Sequence, residues 1–289
     1  MKKILSAICV LSLFVLSLCS CDMTTSEQST NEKFDASNKI TVVSREEGAG
    51  LRGVFADLFD FMEDDKDLTF SGVSVKESAD DIKAIISTDN YAIGYLPLVS
   101  VGDKVKTVKV NGVLPTRDNV KNGSYVFKHE INAVTVSDAS DGAKDFVNFL
   151  ISKKAREILT DEGYITSDKQ NEFTSTKPEG TLKLYVSASA EPAISKLKDE
   201  YAKHNDKLKI EITKANAKSA LESLKDKDSL AIITRELTDE EEKAYKETEI
   251  CEDAVAVVVN KNNSLENISS DNIKKIYKGE ITKWSDIIK

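Results

Sequence analysis

The sequence holds two histidines, His129 and His204, and four cysteines in 289 residues. The histidines stand in unrelated contexts, so a Ser/His or Cys/His nucleophilic pair has little to be built from. No CxxC or Cys/His spacing would hold a metal, and Cys9, Cys19 and Cys21 crowd the N-terminus. Cys251 alone lies in the body, which excludes a disulfide framework and leaves stability to a hydrophobic core. Beyond residues 4–18, no stretch is long and apolar enough to cross a membrane. Internal repeats are missing as well. A net charge of −9 argues against nucleic acid as partner, because a phosphate backbone demands excess positive charge. It leaves a small anion open, since such ligands are held by local donors.

The N-terminus is what the sequence does have. Lys2 and Lys3 precede the apolar run 4–18, which is short for a bilayer span but right for a secretory h-region. The run closes on Leu18-Cys19-Ser20-Cys21, the pattern of a bacterial lipobox. Residues 1–20 are then a lipoprotein signal peptide and Cys21 the expected lipidated residue. The mature chain would sit on the extracytoplasmic face of the cell membrane; plain secretion is the alternative. Residues 21–38 are rich in Ser, Thr, Asn and Glu, and predict a flexible tether.

The body alternates short apolar strands with amphipathic helices. Strands are predicted at 40–43, 91–96, 105–110, 133–136, 182–186, 208–212, 230–233 and 254–259. Leu51, Val54, Phe55, Leu58, Phe59 and Met62 fall at helical spacing. One long helix is predicted to carry Ala143, Phe146, Val147, Leu150, Ile151, Ile158 and Leu159 on one face. Another opens at Pro192, and Ile273, Ile276 and Tyr277 mark a last one that Gly279 ends. Such alternation means an α/β fold with largely parallel, buried sheets.

Three strand-to-helix junctions could present free N–H groups and a positive dipole end to an anion. The first is Ser44-Arg45-Glu46-Glu47-Gly48-Ala49-Gly50-Leu51. Its glycines allow close backbone approach, Arg45 offers a planar donor fork, and Glu47 could hold that guanidinium. A glycine-containing turn with a surface ion pair would show the same residues. The second is Ser187-Ala188-Ser189-Ala190-Glu191-Pro192, where Ser189 could cap the helix or donate to a bound oxygen. The third is Thr234-Arg235-Glu236-Leu237, which by itself needs to be no more than a helix cap before an acidic run.

Together these segments resemble the phosphate-binding lipoproteins of bacterial phosphate ABC transporters. Residues 44–50 look like that family's SREEGSGTR anion loop, and residues 91–95 like its AIGY strand. Asn111-Gly112-Val113, Pro115-Thr116 and Gly123-Ser124-Tyr125 follow in the family's order, and residues 153–165 look like its C-terminal helix and GYI ending. Residues 182–200 then resemble the family's N-terminal strand and helix around GSTSVTP. Residues 234–237 resemble SREL, 257–260 resemble VIVN, and 276–284 resemble IYxGxITxW, all of which ordinarily precede the anion loop. Each segment occurs once and the two halves stand in reversed order, as in a circular permutation. A truncated tandem duplication would leave a half missing.

The resemblance implies a two-lobed, periplasmic-binding-protein-like (type 2) α/β fold, each lobe a mostly parallel sheet flanked by helices. One lobe would comprise 39–110 with 261–289, the other 111–260. Arg45, Gly48, Ala49, Gly50 and Leu51 would face Ser189, Ala190 and Thr234 across a cleft closed by a hinge. It implies a monomer that captures inorganic phosphate or a similar small oxyanion for an ABC permease, with no cofactor, no metal and no catalysis. The departures fall on the ligand positions. Ala49 and Leu51 replace a serine and a threonine, and residues 213–219 lack every glycine of the family's GGGSGAG turn, with Lys214 or Lys218 offering replacement charge. Each lost bond to a charged ligand costs roughly 1.5–3 kcal/mol. Another anion, or a surface sensing or adhesion lipoprotein without ligand, is therefore the alternative.

Overall fold

A computed structural model describes residues 33–63 and 66–288. Cys21, the leader and residues 21–32 of the expected tether lie outside the described residues.

The first apolar run forms strand β1 (Thr41–Arg45), and helix α1 (Gly50–Leu58) follows. Leu51, Val54 and Phe55 are buried on one face of α1, as their spacing predicts. The helix ends sooner than expected. Asp60 turns the chain at φ +57°, and Met62 enters a small hairpin, β2 (Met62–Glu63) with β3 (Lys66–Asp67). Next come β4 (Ser74–Lys76), α2 (Ala79–Thr88), β5 (Ala92–Pro97), β6 (Lys106–Thr107), β7 (Lys109–Val110), α3 (Arg117–Lys121) and β8 (Lys128–Val136). The expected long helix is two, α4 (Asp141–Leu150) and α5 (Lys153–Asp161). Ser152 breaks it, because its side chain accepts the Ala155 N–H and caps the second helix. The chain continues through β9 (Gly180–Val186), α6 (Glu191–His204), β10 (Leu208–Lys214), α7 (Ala217–Glu222) and β11 (Ser229–Ile233). It ends with β12 (Tyr245–Val259), β13 (Asn267–Ile268) and α8 (Ser270–Tyr277). Gly279, at φ +76°, follows this last helix.

The principal sheet runs β10-β9-β11-β8-β12-β5-β1-β4, with β6 also paired to β12. Its flanks are parallel, but β8 and β12 are antiparallel to their neighbours. The reason is β12, 15 residues long. Its first part pairs with β8 and its last part, from Val255 on, with β5, so one strand serves two lobes.

Two main cores flank that strand. One gathers Phe55, Tyr95 and Tyr277, with Phe55 stacked on Tyr95 at 3.9 Å. The other gathers Phe146, Phe149, Leu184 and Tyr201. Val120, Tyr125 and Phe127 belong to the first core, where Phe127 stacks on Phe59 at 4.5 Å and Tyr125 donates to the Val255 carbonyl. Residues 111–127 therefore pack in the first lobe, not in the second where the expected boundary put them. The same holds for Ala254, Val255, Val257 and Val259. The crossings fall at about 128 and 253.

Residues 34–38, expected to be tether, are packed on the body. Phe34 lies 5.6 Å from the Tyr91 ring and 5.8 Å from Trp284. Ser285 N–H donates to Ala36 and Trp284 N–H to Asn38. Trp284 is fully buried and donates its indole N–H to the Tyr91 carbonyl. A single aromatic among polar residues sets this segment apart, and averaged composition hides it.

Candidate functional site

The Arg45 loop stands at the β1–α1 junction. Gly48 takes φ +83°, which a side chain would oppose, and the Ala49 N–H turns back to the Glu46 carbonyl. As at any helix start, the N–H groups of Gly50 and Leu51 have no carbonyl one turn earlier to bond. Tyr95, buried beneath the loop, fixes it: its hydroxyl takes the Arg45 N–H at 3.2 Å and meets Ser44 Oγ at 3.0 Å. Burial pushes that phenol up to about 12, against the smaller opposing effect of its hydrogen bonds. Arg52, paired with Asp67, adds a bond from Nη1 to the Arg45 carbonyl.

Arg45 is 6% exposed. Its Nε and Nη2 each lie 2.9 Å from a Glu46 carboxylate oxygen, and Nη2 also reaches the Glu77 carbonyl. The guanidinium is thus held by Glu46, not by Glu47, which is exposed. Sequence could not separate them. At successive positions the two carboxylates leave in different directions, and the turn at Gly48 decides which one folds back.

Across the cleft stand Thr234, beyond β11, and Asn216, which caps α7. A Cβ placed on Gly50 would lie 2.8 Å from Thr234 Oγ1 and 4.0 Å from Ala217 Cβ, and one on Gly48 would lie 3.6 Å from Asn216 Nδ2. The structure therefore brings Gly48 and Gly50 together with Thr234. It adds Asn216, which sequence reasoning passed over within a segment noted for its missing glycines; its side chain accepts the Ser219 N–H through Oδ1, so Nδ2 is the end turned to the loop.

The second junction differs from expectation. Ser189 does not cap α6, whose N-cap position is Ala190 with no side-chain bond. The Ala190 and Glu191 N–H groups both return to the Ser187 carbonyl, so the Ala190 N–H is spent inside the turn. Ser187 is the more telling residue. Its hydroxyl is buried without a partner among the described residues, and its N–H bonds Ile232, two residues before Thr234. Thr234 does not open a helix either; the chain reaches a short 3-10 turn at Glu241–Lys243, and Arg235 pairs with Glu241. Lys214, offered as replacement charge, lies 3.1 Å from Glu191.

At this contact the backbone of Gly48 and Gly50 meets the Asn216 amide and the Thr234 hydroxyl, and the buried Arg45 guanidinium, held by Glu46, belongs to the same loop; donors of these kinds suit a small oxyanion. His204 packs against Phe149 and Phe173, and His129 lies where the chain crosses between lobes.

Two α/β lobes joined by paired crossings, with turn-to-helix junctions on either wall, define the two-lobed binding-protein class. A family model described as a PBP superfamily domain matches residues 23–154 and 171–288. The chain is 33% identical over 298 residues to phosphate-binding protein PstS 2 of Streptococcus agalactiae serotype V, covering 99% of each. A crystal structure of a phosphate ABC transporter phosphate-binding protein from Streptococcus pneumoniae TIGR4 superposes with a TM-score of 0.75 at 30% identity, covering 86% of this chain and 100% of that one. Phosphate-binding protein PstS of Bacillus subtilis matches at 33% over 130 residues, 44% of this chain and 41% of its own. The chain belongs to the PBP superfamily and, within it, to the PstS family of phosphate-binding proteins.

Proposed function

We propose that the chain is a monomeric, non-enzymatic extracytoplasmic receptor that captures inorganic phosphate between the Arg45 loop and the Thr234 wall. It would be anchored through Cys21 and would deliver its ligand to an ABC permease. The observation that carries this reading is the approach of Gly50 to Thr234 across the cleft, in a chain that aligns end to end with a PstS 2 protein. No helix among the described residues is long and apolar enough to cross a membrane. Titration calorimetry of the leader-free chain with phosphate, with sulfate as control, tests the proposal. Arg45→Ala should weaken phosphate binding at least tenfold, the loss of one charge-assisted contact. Equal binding by variant and parent would refute the site.

The reversed order of the two halves is proposed as a circular permutation. Two observations support it. The Ile40 N–H donates to Thr282 at 2.9 Å, and Lys39 bridges Lys283, so the opened ends meet. The match to the Bacillus subtilis protein covers under half of either chain, as a linear match must when two halves have changed places.

One observation favours a second reading, the same cleft tuned to another oxyanion. Glu46 already occupies the Nε/Nη2 edge of the Arg45 guanidinium, and Ala49 and Leu51 bring no hydroxyl. Tighter sulfate than phosphate binding in the same titration would support it.

A further inference from the structure

The chain passes between the lobes near residues 128 and 253, and the two crossings are antiparallel neighbours, with Lys128 opposite Ala254 and His129 opposite Asp253. Lys128 and Glu252 form an ion pair beside them. His129 and Asp253 themselves are buried, at 9% and 1% exposure. Each keeps one polar atom without a partner among the described residues, Nε2 of His129 and Oδ2 of Asp253. Burying two such atoms is costly.

Both lobes cover Asp253. From the first lobe, the turn Leu98–Ser100 turns its Leu98 and Val99 N–H groups toward the carboxyl, and Ala254 N–H bonds Oδ1 at 2.8 Å. From the second, Tyr164 and, along the same strand, Cys251 are the titratable neighbours. His129 faces Asp253 from β8 and is itself set among Glu252 and the carbonyls of Glu130 and Thr234. The cover is an interlobe contact: a Cβ on Gly163, next to Tyr164, would stand 3.5 Å from Val99. Parting the lobes would separate Val99 from Gly163 and let water reach the carboxyl; closing them would strip that water away, and a desolvated carboxyl favours its neutral form.

We propose that Asp253 takes up one proton from solvent when the lobes close on ligand, so that the hinge ties capture to pH. This rests on reading the chain as a hinged phosphate receptor. With the lobes together, burial pushes Asp253 up to about 7 and His129 down to about 4. The imidazole is then neutral near pH 6 and supplies no cation to hold the carboxylate charged. A hydrated carboxyl titrates near ~3.9. The closed form therefore binds the proton more tightly, and this residue's contribution weakens binding as pH rises from about 4 to 7, by up to tenfold per pH unit. Above 7 it is level.

Two measurements on the full chain decide the matter. Phosphate titrations at pH 6 in two buffers of different ionisation heat count protons taken up per ligand. The parent should take up about 0.9 proton more than Asp253→Asn, falling to about 0.1 at pH 8; subtracting the variant removes the titration of phosphate itself. Equal counts overturn the proposal. Without ligand, the distance between probes at Lys104 and Lys209 should shorten in the parent from pH 8 to 6 and stay fixed in Asp253→Asn. A shift shared by both proteins also overturns it. If neither protein binds phosphate, the phosphate reading fails, and the probe distances still decide the hinge.

Discussion

Gly50→Ala should impair ligand capture without weakening the fold. A methyl group at this position would come 2.8 Å from Thr234 Oγ1, where ordinary contact begins near 3.4 Å. The lobes would have to part by about 0.6 Å, or Thr234 would have to turn away from the cleft, and overpacking of this kind costs about 1–3 kcal/mol. Because the clash exists only while the lobes are together, the cost falls on the closed state. Phosphate affinity should therefore drop roughly 5- to 150-fold. The ligand-free melting temperature should hold or rise, since alanine suits a helix better than glycine by up to about 1 kcal/mol. Calorimetry and a melting curve measure the two effects separately. Adding Thr234→Ala removes the obstructing hydroxyl, so the double variant should bind more tightly than additivity allows. Unchanged affinity in Gly50→Ala, or a loss matched by a lower melting temperature, would refute the close approach of these two walls.

Three further outcomes follow from packing. Tyr95→Phe removes the hydroxyl shared by the Arg45 N–H and Ser44; it should cost about 1–3 kcal/mol in denaturant melts and weaken phosphate binding. Phe34→Ala should lower stability by about 1–2 kcal/mol, a change a free tether would not show. Asp145 accepts from Tyr201, Ser175 and Thr176. Burial would raise this carboxyl, but those bonds together hold it below its usual range, so its contribution is present above about pH 4 and lost as pH falls through the lowered value. Asp145→Ala should cost about 3 kcal/mol at pH 7, and the cost should shrink as pH falls through that lowered value; a constant cost would contradict the assignment.

Much of the fold was legible because burial imposes periodicity. The runs that became β5 and β11 are continuously buried stretches, and β9 alternates buried Leu182, Leu184 and Val186 with Thr181, Lys183 and Tyr185. The start of β12, from Tyr245 to Glu249, escaped notice because Lys246, Glu247 and Glu249 leave no apolar alternation to read. The lobe boundary was misplaced because Tyr125 and Phe127 sit in a short irregular segment that declares its core only through Phe59 and Val255. The Arg45 loop and Thr234 were found through motif likeness and do face each other. Asn216 and Ser187 came from contact alone, since an amide or hydroxyl in a turn has many ordinary uses.

The bond from the Tyr277 hydroxyl to the Val43 carbonyl spans 234 positions, and this bears on the order in which the chain can fold as it is synthesised. Residues 128–253 form an unbroken run and can collapse as soon as they emerge. The first lobe starts earlier and finishes last: β5 keeps an unpaired edge until Val255–Val259 arrive to cover it. An exposed apolar strand edge invites association with other chains. A chain halted before residue 254 would therefore present one finished lobe and one sticky half-lobe, and its yield would depend on how quickly the rest of the sequence follows.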